Sequence, residues 1–141
     1  MFRYATELKL RDTDAAGVAF FANYYAIAHE AYESFLCHLN RPLSSWLSEV
    51  HLPIVHSEAD YKAPIRLSDP FEVLLSCERL GNRSFTLSYD FVSGDKLLAH
   101  LTTVHVAVAS PPSEPKAISL PEELRVALAK LIKEKEVDAS Q

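Results

Sequence analysis

Residues 11–24, from Arg11 to Tyr24, read R-D-T-D-A-A-G-V-A-F-F-A-N-Y. Two carboxylates, Asp12 and Asp14, and a glycine, Gly17, stand directly before one of the most apolar runs of the chain. A charge beside a core segment needs a partner, a solvent-facing turn or a chemical task. The candidates are a metal loop, a phosphoryl-transfer nucleophile, a helix cap and an acid for some other chemistry.

The flanking sequence sets the frame. Upstream, Phe2, Tyr4, Leu8 and Leu10 share one parity, which predicts a half-buried strand from Phe2 to Leu10. Downstream, residues 20–39 have the length and alanine content of a helix. At about 100° per residue, Asn23, Glu30 and Ser34 fall on one line with His29 and Glu33 beside it, and the remainder is apolar. Such a helix is expected to be wrapped by protein over most of its circumference. After Pro42, L-S-S-W-L-S-E-V predicts a short second helix with Ser44 or Ser45 as its cap. Four β-type runs follow, at 54–61, 71–80, 84–92 and 97–109, and the links G-N-R and S-G-D-K are short enough for hairpins. Pro111, Pro112 and Pro115 close the last strand, a terminal helix begins at Pro121, and residues 136–141 read as a flexible tail.

One apolar helix followed by a run of strands predicts an α+β unit, a curved antiparallel sheet wrapped around that helix, with residues 1–135 as its single domain. Its outer face and edge strands need cover, which a homodimer, extended to a homotetramer, supplies. The composition agrees with one domain: 141 residues, 48% hydrophobic and 23% charged. A formal charge of −5 and a pI near 5.6 argue against a nucleic-acid partner. Cys37 and Cys77 sit in apolar surroundings and no signal-peptide pattern is present, so reduced, buried thiols in a cytoplasmic protein are expected. No apolar run reaches the length of about 20 residues that a membrane span requires.

The motif can now be weighed. Counted from Asp12, a calcium loop would need an oxygen ligand where Ala16 stands and a bidentate glutamate where Asn23 stands. A phosphoryl-transfer aspartate expects a hydroxyl or valine at Ala16 and parallel βαβ units, which the downstream hairpins contradict. Helix capping accounts for one acid, but not for the glycine and the double aromatic.

The stretch D-T-D-A-A-G-V-A-F-F-A-N-Y, followed by H-E-A-Y-E-S-F-L, resembles the signature of hotdog-fold acyl-CoA thioesterases of the 4-hydroxybenzoyl-CoA thioesterase family, and the likeness runs from the first strand to about Ala109. With L-P-I-V-H-S-E-A-D-Y-K-A-P-I, the branch it resembles most is the one that hydrolyses 1,4-dihydroxy-2-naphthoyl-CoA in the phylloquinone pathway of cyanobacteria and plants. Other branches carry an acid where His29 stands or a histidine where Phe21 stands, which favours the naphthoyl branch.

The resemblance implies a role for Asp14 as the catalytic acid, attacking the thioester carbonyl or activating water, and for the Phe21 backbone N–H as the oxyanion donor. Gly17 would let the chain pass close to the ligand, and Phe20 and Tyr24 would wall an aromatic acyl group. His29 and His56 are further substrate candidates. Lys62, Arg66 and Arg83, with Arg79, are candidates for the CoA phosphates. Glu30 and Glu33 read as a polar stripe. No metal or other cofactor is implied. The alternatives are a thioesterase for another acyl-CoA, such as a hydroxybenzoyl or short-chain ester, and a non-catalytic acyl-CoA binding protein of the same fold.

Overall fold

The computed structural model describes residues 1–111, 114 and 116–132. Strand β1 (Phe2–Glu7) shows the expected alternation, with Phe2, Tyr4 and Thr6 half-buried and Arg3, Ala5 and Glu7 exposed. It ends earlier than the parity predicts. Leu8 is buried, but Leu10 enters a 3-10 turn (Leu10–Asp12) and stands 75% exposed. Backbone bonds from Leu8 N–H to Asp69 O and from Ser68 N–H to Leu8 O bend the chain there.

Helix α1 (Asn23–Cys37) begins three residues later than expected from the apolar run starting at Phe20. The Phe20 N–H is held by the Asp12 carbonyl at 2.9 Å and the Phe20 carbonyl accepts from Asn23 N–H three residues on, so the chain enters the helix through a tight turn. Tyr24, Ile27, Ala28, Ala31, Tyr32, Phe35 and Leu36 are buried. The circumference is less completely covered than expected: Ala26, His29, Glu33 and Cys37, spaced three or four residues apart, form an exposed stripe. Cys37 is therefore exposed rather than buried, while Cys77 is buried, and both are free. A left-handed Asn40 (φ 56°) follows and terminates the helical run.

Helix α2 (Leu43–Glu49) has Pro42 at its cap position, and neither Ser44 nor Ser45 caps it. Ser45 Oγ instead accepts from Arg41 Nε at 2.8 Å, and the Arg41 guanidinium lies 4.1 Å from the centre of the buried Trp46 ring. A short strand β2 (Val50–His51), not expected from the sequence, follows. Strands β3 (Ile54–Tyr61), β4 (Pro70–Leu80), β5 (Ser84–Ser93) and β6 (Lys96–Val106) match the four β-type runs closely. A one-residue break after Val106 splits off β7 (Val108–Ala109), which pairs with β2. Helix α3 (Glu122–Ala129) starts directly after Pro121, as its fixed φ favours. Pro112, Pro115 and the boundary at residue 135 lie outside the described residues.

The main sheet has the order β1-β4-β5-β6-β3 with every pairing antiparallel. Alternation places Val73, Leu75, Phe85, Leu87, Tyr89, Phe91, Ala99 and Leu101, none more than 1% exposed, on the face that receives α1. This is the hotdog arrangement, a curved antiparallel sheet closed around one helix. Among the described residues no helix is long and apolar enough to cross a membrane. Strand β3 lies at one edge of the sheet, and its Ile54, Val55 and Tyr61 are 45%, 60% and 44% exposed.

Candidate active site

The D-A-A-G-V segment folds as a small hairpin of its own. Asp14 N–H donates to Val18 O at 2.9 Å, Gly17 N–H returns to Asp14 O at 3.1 Å, and Thr13 pairs with Ala19. This is a three-residue loop closed by a left-handed residue, and Gly17 supplies it with φ +76°. A Cβ at Gly17 would meet nothing within 4 Å. The turn thus requires the glycine for its backbone conformation.

The Asp14 side chain caps this loop: its Oδ1 accepts the Ala16 N–H at 2.8 Å and lies 3.4 Å from the Val18 nitrogen. Its other oxygen takes no hydrogen bond among the described residues, and the residue is exposed. Neither aspartate caps α1. The cap position is Ala22, without a side-chain bond, and the first turn holds no acid. Asp12 is buried at 8% exposure, with Arg11 Nε 4.0 Å from its carboxylate.

An uncapped helix start keeps its unpaired N–H groups and partial positive charge. The Phe20 carbonyl accepts the Asn23 N–H at 2.9 Å, and the Phe21 carbonyl accepts from Tyr24 N–H at 3.4 Å and from Tyr61 Oη at 3.1 Å. Because the peptide plane is trans, a Phe20 carbonyl turned into the helix turns the Phe21 N–H outward. That N–H has no acceptor among the described residues. The Asp12–Phe20 bond and the Thr13–Ala19 pair hold this donor and the Asp14 loop in one hairpin.

Beside them is a pocket of about 350 Å³ lined by Ala19, Phe21, Tyr24, Tyr61, Lys62, Ala63 and Pro64. Tyr24 meets Tyr61 edge-on at 4.9 Å and Phe91 at 5.4 Å. Burial, and then the neighbouring Tyr61, push the Tyr24 phenol above its ordinary value, so it remains a neutral hydroxyl at physiological pH. Phe20 packs on Phe21 at 4.9 Å, and both are exposed rather than core. Arg66 is brought in by a bridge to Val18, and its N–H bonds Asp69 Oδ2 at 2.9 Å.

Not every residue proposed from the sequence joins them. His29 lies six residues beyond Asn23, roughly 9 Å further along the helix axis. There it lines a separate apolar pocket of about 390 Å³ with Tyr32, Glu33, Leu36, Trp46 and Leu52 among its walls. His56 faces away: it bonds Glu58 at 2.8 Å on the face of β3 opposite to the one whose Tyr61 meets Tyr24. Arg83 is held at the far end of the sheet, where its carbonyl takes the Ala107 N–H. Lys62 N–H bonds Leu98, and the nine residues from Leu98 to Ala107 separate the two by roughly 30 Å of extended chain. Arg79, paired with Thr86, lies toward that same far end. Glu30 accepts from Tyr4 Oη and Arg11 Nη2, both at 3.1 Å, a structural role that fits the polar stripe. Tyr61 and Pro64 escaped the sequence reading. Their signal, an aromatic at the end of a β run just before K-A-P-I-R, becomes legible only once β3 is known to end beside α1.

A hotdog sheet around one helix, with a carboxylate and an unclaimed N–H at the helix start, defines the class of thioester hydrolases. The chain belongs to the thioesterase-like superfamily, whose family model matches residues 8–128. It is 36% identical over 112 residues to the 1,4-dihydroxy-2-naphthoyl-CoA hydrolase of Synechococcus elongatus, covering 77% of this chain and 82% of that protein. The crystal structure of a 1,4-dihydroxy-2-naphthoyl-CoA thioesterase from Synechocystis superimposes with a TM-score of 0.82 at 32% identity, covering 92% of this chain and 96% of that one. A gentisyl-coenzyme A thioesterase does so with a TM-score of 0.78 at 30% identity, covering 89% and 98%.

Proposed function

We propose that this chain hydrolyses an aromatic acyl-CoA, with 1,4-dihydroxy-2-naphthoyl-CoA as its substrate, yielding 1,4-dihydroxy-2-naphthoate and CoA for phylloquinone biosynthesis in the cytoplasm. The observation that carries the reading is the pairing of a half-engaged Asp14 carboxylate with the outward Phe21 N–H. A thioester carbonyl seated between them would be polarised by that N–H and by the positive helix end, while the free Asp14 oxygen attacks the carbon or takes a proton from water. Both routes develop negative charge on the carbonyl oxygen, and both need a carboxylate at position 14. Phe20, Phe21, Tyr24 and Tyr61 supply the aromatic wall. Shared ancestry with hydrolases of the naphthoyl ester supports the acyl group.

The active unit in this reading is a homodimer, with further pairing to a tetramer. An edge strand showing Ile54 and Val55 to solvent, and a helical stripe of Ala26, His29 and Glu33 left open, are surfaces that a second copy would cover.

The second reading is a hydroxylated benzoyl ester, favoured by the structural likeness to the gentisyl-coenzyme A thioesterase. Thiol release from a panel of CoA esters separates the readings. The naphthoyl assignment predicts a kcat/KM for 1,4-dihydroxy-2-naphthoyl-CoA above those for 4-hydroxybenzoyl, gentisyl and short aliphatic esters. Preference for a single-ring ester moves the assignment to the second reading, and no thiol release from any ester leaves a binding protein.

A further inference from the structure

We propose that the Tyr61 hydroxyl is a positioning group for thioester cleavage: it holds the Phe21 carbonyl at the start of α1 and so keeps the Phe21 N–H aimed at the substrate. This role rests on the thioesterase reading above. It adds a residue that acts through Phe21 rather than on the reacting atoms.

The start of α1 leaves the Phe21 carbonyl in need of a partner. In a regular helix it would accept the N–H four residues on, from Tyr25, but α1 begins only at Asn23. It receives instead a long bond from Tyr24 N–H, 3.4 Å, and a shorter one from Tyr61 Oη, 3.1 Å. The two peptide groups that flank the Phe21 α-carbon are then both fixed. The one before it is held by Asn23 N–H on the Phe20 carbonyl at 2.9 Å, and the one after it by Tyr61. With both planes set, the two soft dihedrals of Phe21 and the direction of its N–H are set as well. No side chain caps this helix start, so its order comes from elsewhere. Order supplied through a carbonyl leaves the Phe21 N–H unclaimed.

Strand β3 brings the hydroxyl to this place. Tyr61 is the last residue of β3 and pairs with Ala99 on β6. The next two N–H groups, of Lys62 and Ala63, both donate to Leu98 O, at 2.9 and 3.0 Å, and anchor the end of the strand. The ring stands edge-on to the buried Tyr24 at 4.9 Å. Burial, and then the neighbouring Tyr25, push the Tyr61 phenol above its ordinary value, so the hydroxyl keeps its proton and donates. The sheet therefore places the ring, and the ring places the hydroxyl. A residue that served only as pocket wall would need the ring and not the hydroxyl.

Tyr61→Phe separates these roles, because it keeps the ring and its contact with Tyr24 and removes one hydroxyl from a residue 44% exposed. Its thermal midpoint is expected to stay close to that of wild type. Its kcat for 1,4-dihydroxy-2-naphthoyl-CoA is expected to fall about tenfold with KM unchanged, less than the factor of about 100 or more that outright loss of an oxyanion donor costs. Tyr25→Phe, which removes the neighbouring phenol, is expected to retain the wild-type kcat. The readout specific to the donor is the infrared C=O stretch of the same ester, labelled with ¹³C at the thioester carbon and held uncleaved by Asp14→Asn. The red shift produced by the N–H is expected to shrink when Tyr61→Phe is added. An unchanged kcat, a rise in KM alone, or a red shift indifferent to Tyr61 overturns the proposal, and in a chain that still cleaves the ester each leaves the thioesterase reading standing. A Tyr61-dependent red shift in a chain that binds the ester but cleaves none keeps the positioning role and removes the activity. No binding of the ester by wild type overturns both.

Discussion

Asp14 and His105 show how differently the sequence exposes a proposed catalytic residue and a structural one. Asp14 is legible because a charged residue, a left-handed glycine and a double aromatic share one short stretch, and turn chemistry is local. His105 gives no such signal, yet it is 1% exposed and bonded at both ring nitrogens. Its Nδ1 lies 3.0 Å from Leu52 O, its Nε2 lies 2.9 Å from Thr103 Oγ1, and Thr103 Oγ1 lies 3.2 Å from Tyr89 Oη. Burial pushes the Tyr89 phenol up to about 12, so that hydroxyl remains a donor. A chain running from Tyr89 through Thr103 to Nε2, with Nδ1–H donating to Leu52, assigns a neutral imidazole, stacked on Phe85 at 4.8 Å. Burial accordingly lowers the His105 pKa from its ordinary value of about 6.5, partly opposed by the Leu52 bond and reinforced by His29. The unfolded chain then binds a proton at this position more readily than the folded one. The stabilising contribution is complete above about pH 6.5 and is lost as pH falls below it. Thermal midpoints of wild type and His105→Gln between pH 7.5 and 5 should converge as the pH drops; a gap independent of pH would contradict this account of His105.

At the scale of elements, β-runs were legible almost to the residue, because sheet periodicity and hairpin links are written locally. Helix α1 starts later than its apolar run suggests, because Phe20 is held in the Asp14 hairpin by its bond to Asp12, on another segment, and leads into the helix through a tight turn. The same limit hid Tyr61 and the positions of His56 and Arg83: a sequence shows which residues are present but not which end or face of a sheet they reach. The β2–β7 pair was missed because a two-residue strand carries no periodicity. Strand β3 offers an experiment at this scale. Its free edge presents Ile54 and Val55, and proteins that keep such edges unpaired usually place charge on them. Ile54→Lys with Val55→Lys should shift sedimentation toward monomer and reduce thioester turnover together. A dimer that survives the double substitution at micromolar concentration would show that the copies associate elsewhere.

The whole molecule reads as a scaffold that brings three things to one end: a carboxylate on a hairpin, an N–H at an uncapped helix start, and the cations Lys62 and Arg66 after β3. The sheet and its core fix these relative positions, with α1 bound along the concave face by Tyr24, Ile27, Ala31 and Phe35. The mechanism proposed above requires a carboxylate at position 14, and the local structure makes that requirement separable from folding. In Asp14→Asn the amide oxygen retains the bond to the Ala16 N–H, so the loop is expected to persist with little change in thermal midpoint. An amide neither attacks the carbonyl efficiently nor takes a proton from water. Thiol release from 1,4-dihydroxy-2-naphthoyl-CoA, followed for wild type, Asp14→Asn and the matched Asp12→Asn, is therefore the decisive measurement. The account predicts turnover by Asp14→Asn at least about 100-fold below wild type, with Asp12→Asn retaining substantial activity; near-wild-type turnover by a folded Asp14→Asn would contradict it.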